Sequence, residues 1–461
     1  MNALAALALI GWIPLSIAAF AALTPRSATL LTVVGGCLFL PVASFDLPGL
    51  PDYTKTAAVA LGTLVGLLLL ARRQFARLRL GWRDLPVLAW CLVPGAAALA
   101  NGYGIYDAAS AALSACIDWG VPYLIGRAVF RDLAALRDLA RGVFVGGLVY
   151  VPFCLYEVRM SPQLHATVYG FAQHTFMQTI RLDGYRPMVF MDHGLMVALW
   201  MAVATVAGFH LWWHGGMRRL AQVPVAPLLL VLGATTVLCK SMGALVLLGA
   251  GVATLVAVRW LQSRLPVLVL LGLPLLFVGA RLGLDWEAQG PIEFLREYAP
   301  ERATSLEYRI VCEQVVLADV WRHPWFGAST WGVRAAAADP ELAKVVLDSA
   351  WLITLSSFGF VGLALFLGVH VTPILALMRR LSVSEWLAPR AAGAATLAVA
   401  LCMFVCDCMF NSMMNPVYIV ALGSLTSVAA GDAALQPGLL LRPQRRRGPL
   451  RARRRVAHSL A

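Results

Sequence analysis

Uninterrupted apolar runs are what most restrict this chain. They lie at about 3–23, 28–45, 56–71, 85–100, 106–126, 139–158, 189–213, 223–239, 242–258, 265–282, 349–378, 391–410 and 416–431. Each is close to the ~20 residues that cross the hydrocarbon of a bilayer as a helix. In lipid the backbone must bond within its own segment or within a closed barrel. A barrel is written in ~10-residue alternating stretches, a pattern this sequence lacks. Thirteen spans take up roughly 260 positions, in keeping with the 60% of the 461 residues that are hydrophobic and the 13% that are charged. Soluble domains run at about 45–50% and about 25%. A mean hydropathy of +0.75 therefore excludes a soluble enzyme and a disordered chain alike. The expectation is an all-α, polytopic integral membrane protein of about 12–13 transmembrane helices. The fourth and last runs are short, so the count stays open between the two.

Charge orients the spans. Of the 37 basic residues, 25 fall on one set of alternate loops and 12 on the other. The richer set holds Arg26, Arg72 to Arg83, Arg127 to Arg141, Arg218, Arg219, Arg259, Arg264, Arg379, Arg380, Arg390 and eight arginines after 441. By the positive-inside rule that set is cytoplasmic. The expected order is helices 1–10 over 1–282 with an outward loop at 159–188, a large periplasmic loop at 283–348, helices 11–13 over 349–431, and an Arg-rich cytoplasmic tail at 432–461. The tail reads as a lipid-facing anchor rather than a nucleic-acid arm. The N-terminus has no basic region of a cleavable signal, so the first span is expected to stay. Nine cysteines, most of them inside apolar runs, form no framework. Cys402, Cys406 and Cys408 cluster without a nearby His, short of a four-ligand zinc site.

Polar groups at bilayer depth are functional candidates; Asp118, Lys240 and Asp407 are the clearest. Lys240 stands out because only three of the basic residues are lysines, the others being Lys55 and Lys344. It equally fits a snorkelling lysine at a helix end. Arg181 and Arg186 precede an apolar run on the outward side, where a guanidinium fork suits phosphate oxygens. His193 lies at the start of that run. In the large loop, Thr304-Ser-Leu-Glu307 has the form of a capping box, so a helix is expected over 305–321, ended by His323-Pro324, with Arg309 and Glu313 on one face. Asp348 and Ser349 open the next run, where either could cap the helix.

In order and spacing these residues resemble the O-antigen ligase and O-antigen polymerase-like superfamily of bacterial envelope proteins. The counterparts are Arg181 or Arg186, Lys240-Ser-Met-Gly243, Arg309, His323-Pro-Trp-Phe-Gly327, Asp348-Ser349 and Gly359-Phe-Val-Gly362. The family's turn arginine is Met242 here, and the ligases' histidine is Asp348. The resemblance implies a GT-C-like, metal-independent glycosyltransferase of the inner membrane that uses no cofactor. Such an enzyme moves a glycan from an undecaprenyl-pyrophosphate-type carrier to an acceptor glycan or lipid in cell-surface polysaccharide biosynthesis. Arg181, Arg186, Lys240, Arg309 and His323 would then bind substrate. Asp348 would be the catalytic base. A transporter or flippase of lipid-linked sugars or a small anion would keep the cations and need no base.

Overall fold

The computed structural model describes residues 1–431 apart from Leu182, Gly215, Asp285 and 338–347; the Arg-rich tail and Lys344 lie outside the described residues. Every apolar run is helical over most of its length. The chain opens with α1 (Ala3–Ala22), then α2 (Pro25–Leu30), a π turn and α3 (Gly36–Phe39). Next come α4 (Lys55–Leu70), α5 (Leu85–Ala100), and α6 (Ile105–Ala115) joined through a π turn to α7 (Val121–Val129). The series continues with α8 (Leu133–Met160), the short α9 (Leu164–Tyr169), α10 (Gly194–Trp213), α11 (Val225–Leu238), α12 (Met242–Leu261) and α13 (Leu265–Gly283). The large loop holds α14 (Gln289–Tyr298), α15 (Pro300–Val320) and α16 (Ser329–Ala337). The chain then returns through α17 (Ala350–Arg380), α18 (Val383–Trp386), α19 (Ala392–Asp407) and α20 (Pro416–Ala430). Among the described residues nine helical segments are long and apolar enough to cross a membrane, and α4, α11 and α20 are shorter apolar helices. This is a multi-pass, all-α membrane protein.

Short polar side chains start the helices. Asn2 accepts from Ala5, Thr54 from Ala57, Asp132 from Ala135 and Ser241 from Ala244, each satisfying an N–H that the first turn leaves open. Among the described residues the loops then sort into two sets that bond among themselves. At one end, which we call the loop end, Asn2 meets Tyr169, Lys55 meets Phe190, Asn101 meets Gly327 and Arg309 meets Phe410. At the other, the arginine end, Arg26 pairs with Asp132 and Arg264 bonds the carbonyls of Met378 and Leu381. A buried pair, Arg127 Nε to Asp84 at 2.8 Å, ties α7 to the start of α5 there. Arg127 also donates to Ser427 on α20 at 3.0 Å. These two helices cross backbone on backbone, since a Cβ on Gly126 would overlap Val420 and one on Gly423 would overlap Tyr123.

Two boundaries differ from the sequence reading. The large-loop helix begins at Pro300, a residue suited to the first helical position, and Thr304 sits inside it, its hydroxyl donating to the Pro300 carbonyl at 3.1 Å. The capping-box pattern therefore marks no helix start. The run expected from 189 becomes helical only at Gly194, because its first residues are held in a turn, with Met191 N–H donating to Met188 O at 3.0 Å, as described below.

The turn at His323–Gly327 and the Gly359 region form a latch. Long α17 breaks at Gly359 (φ 64°, ψ −162°), a conformation reserved for glycine. Into the break comes the turn: Ala328 N–H donates to Ser356 O at 2.8 Å, and Phe360 N–H to Pro324 O at 2.7 Å. Val361 N–H reaches Trp325 O at 3.2 Å. A Cβ on Gly359 would overlap the carbonyls of Pro324 and Trp325. Gly359→Ala is therefore expected to cost at least ~1–3 kcal/mol in backbone strain alone and to lower the melting temperature of the purified protein. An unchanged melting curve would show that the latch contributes nothing.

Candidate functional site

The arginines of the loop end are placed by a buried carboxylate. Glu157, 1% exposed near the end of α8, accepts from Leu164 N–H at 2.9 Å, Met188 N–H at 2.8 Å and Val189 N–H at 2.7 Å. It thus fastens both ends of the 161–188 loop. The neighbouring carbonyl of Phe190 receives Lys55 Nζ at 2.7 Å, and its N–H donates to Tyr150 Oη at 3.0 Å. With the chain so held, strands β1 (Ile180–Arg181) and β2 (Gly184–Tyr185) form a small hairpin that lies over the turn between α11 and α12.

Two predicted cations and the backbone of a third meet there. Arg186, 5% exposed, donates from Nη2 to the Lys240 carbonyl at 2.9 Å, and Lys240 Nζ donates to the Arg181 carbonyl at 3.1 Å. Two glycines make room: a Cβ on Gly184 would overlap Lys240 Nζ, and one on Gly194 the Arg186 side chain. Lys240 itself adopts φ +52°, uncommon for a residue other than glycine. This interlock goes beyond a lysine snorkelling at a helix end.

Arg309 joins them from the large loop. Its helix is anchored by Glu313, one turn on, which pairs in the buried state with Arg281 of α13 at 3.0 Å; burial pushes the Glu313 carboxyl up to about 7, with Arg281 opposing. From the same face Arg309 Nη1 donates to the Phe410 carbonyl at 2.9 Å. His193 lies among the cations: burial holds its pKa down to about 4, with His174, Arg186, Arg181 and Arg309 adding to the shift. His193 is therefore neutral at pH 7. Its Nδ1 accepts from Leu195 N–H at 3.0 Å, capping α10, which leaves Nε2 to donate to Gln178 at 3.2 Å. With both nitrogens committed, it is a poor base.

The segment 408–415, between α19 and α20, is the hub of this end. Besides holding Arg309, its carbonyls at Asn411 and Cys408 accept from Ala350 N–H at 3.2 Å and Trp351 N–H at 3.3 Å. Those are the first N–H groups of α17. Ser349 stands at the N-cap without a side-chain bond. The helix start is thus satisfied by backbone carbonyls, and Asp348, exposed beside it, makes no hydrogen bond or ion pair to another described residue. Its charge bears on Tyr308, the neighbour of Arg309. The cap reading of Asp348 loses its support. His323 is exposed in the latch turn, and no contact joins it to the cations among the described residues. Asp118 lies in the π turn between α6 and α7, likewise apart from them.

The sequence reading passed over the asparagines of the hub. Asn411 donates to Asp407 Oδ1 at 2.8 Å, and Asn415 caps α20 through Val417 N–H at 2.9 Å. Asp407 is 6% exposed, and its Oδ2 has no hydrogen-bond partner among the described residues. The signal was present in Asn411-Ser-Met-Met-Asn-Pro416, a polar break between two apolar runs. Among the described residues no group of three or more His, Cys, Asp or Glu is placed to hold a metal ion. No family model matches this sequence, and no curated protein matches it.

The roles of His193 separate by substitution. Asparagine caps a helix as well as any residue, whereas alanine forfeits about 1 kcal/mol. His193→Asn should keep wild-type stability and His193→Ala should lose about 1 kcal/mol in thermal or chemical unfolding. The folded-state pKa lies below the usual 6.5, so the wild type should lose stability as pH falls from about 6.5 to about 4, where only the unfolded chain gains the proton. Flat stability over that window would contradict the burial of this ring.

Proposed function

We propose that this protein is a glycosyltransferase of the O-antigen ligase or polymerase type, moving a glycan from a polyprenyl-pyrophosphate carrier to an acceptor hydroxyl. The observation that carries the proposal is the gathering of Arg181, Arg186, Lys240 and Arg309 at the loop end, where helices enter lipid. We place that end outside the cytoplasm of the inner membrane, and the C-terminus inside, on the 25-to-12 division of basic residues.

In the reaction the acceptor oxygen bonds to the anomeric carbon while the bond from that carbon to the phosphate oxygen breaks. Negative charge grows on the departing pyrophosphate. Guanidinium and ammonium groups already fixed by carbonyl contacts stabilise it without reorganising. The acceptor hydroxyl gives up its proton, and Asp348, freed of a capping duty and close to Arg309's helix, is the carboxylate we assign to receive it. Glu313 is committed to Arg281, Glu157 to backbone N–H groups and His193 to its cap, and Asp192 and Asp407 stand as the alternatives to Asp348. A second reading, transport of the intact lipid-linked sugar, draws on the broken helix α17, since interrupted helices mark transporters.

A charge-assisted contact is worth ~1.5–3 kcal/mol, so Arg309→Ala should lower glycan product ~10–100-fold at wild-type expression. Asp348→Asn should insert normally, still bind the lipid-linked donor, and lose ~10²–10⁴-fold of product as a base would. Near-normal product from Asp348→Asn would remove it as base and pass the role to Asp192 or Asp407.

A further inference from the structure

The arginine end contains a cleft that the proposed reaction does not use. Its volume is about 290 Å³, and Arg137, Asp138 and Arg141 of α8 face Arg218 and Arg219 of the α10–α11 connection across it. None of the four guanidinium groups has a hydrogen bond or ion pair to another described residue, and all four arginines are exposed. Three other arginines at this end are answered by acids: Arg127 by Asp84, Arg26 by Asp132, Arg390 by Glu385. Asp138 is the single acid of the cleft, and it is shared with Arg26 at 3.7 Å. Four like charges held around one hollow repel one another unless an anion lies between them.

The cleft is also at the level of the membrane surface. It opens where α8 begins and α10 ends. Beside it Trp213 stacks on Phe209 and carries the Arg259 guanidinium 5.0 Å from its ring, with Trp260 exposed on the neighbouring helix end. Tryptophans of this kind settle at the headgroup level.

We propose that this cleft binds the phosphate of an anionic phospholipid headgroup. Guanidinium forks hold phosphate oxygens bidentately, and basic hollows between transmembrane helices suit such headgroups. Asp138 adds selectivity, because its carboxylate accepts from a headgroup hydroxyl and repels a bare second phosphate. A glycerol headgroup fits both demands. The site is independent of the glycan chemistry at the other end.

The test uses the full chain, purified in detergent, and native mass spectrometry with phosphatidylglycerol or phosphatidylcholine added. The wild type should retain phosphatidylglycerol over phosphatidylcholine and melt at a higher temperature with it. Combined Arg137→Gln, Arg141→Gln, Arg218→Gln and Arg219→Gln should weaken that binding roughly tenfold or more, the scale of losing one charge-assisted contact, while the variant without lipid melts like the wild type. Arg379→Gln with Arg380→Gln, at the same end but outside the cleft, should bind as the wild type does. Equal loss in this control pair, or full retention by the fourfold variant, overturns the site. Should inorganic phosphate stabilise the protein and displace the lipid, the cleft takes free phosphate and the lipid assignment is overturned.

Discussion

Backbone that leaves the helix near lipid has to find every hydrogen bond within the protein, and the loop end is built around that demand. Among the stretches that leave helix there are 188–193, 239–241 and 408–415. Glu157, Tyr150 and Lys55 bond the first, Arg186 the second and Arg309 the third. Two of these are the cations we assign to the donor phosphates. The same groups that make irregular backbone tolerable therefore also hold positive charge in fixed places.

Much of the fold could be read from the sequence because apolar length alone specifies a membrane helix. What could not be read was where backbone stops being helical. Val189-Phe190-Met191 is as apolar as the helix that follows, and groups far off in the sequence, Lys55, Tyr150 and Glu157, hold it out of the helix. Thr304 and Glu307 carry the letters of a cap, but Pro300 starts the helix sooner and Thr304 turns back on it. Local pattern cannot separate those cases. The loop-end grouping of Arg181, Arg186 and Lys240 was legible from their positions in alternate loops, whereas the asparagines at 411 and 415 gain meaning only once α17 and α20 are seen to start from the same segment.

The glycine motifs show the same limit. His323-Pro-Trp-Phe-Gly327 and Gly359-Phe-Val-Gly362 were legible as a turn and a glycine pair. That they bond to one another through backbone follows from tertiary contact alone. The latch fixes the end of α15, hence Arg309, relative to α17 and Asp348. Its glycines are explained by close backbone approach before any ligand is invoked.

The central claim is that the clustered cations promote cleavage of a sugar–pyrophosphate bond. Proteoliposomes containing the protein, a labelled lipid-linked glycan and an acceptor glycan measure this most directly. The account predicts release of polyprenyl pyrophosphate together with label on the acceptor, both lost when Arg186 and Arg309 are replaced by alanine. Donor that remains intact while crossing to the opposite leaflet would contradict it, and would make these arginines part of a transport path.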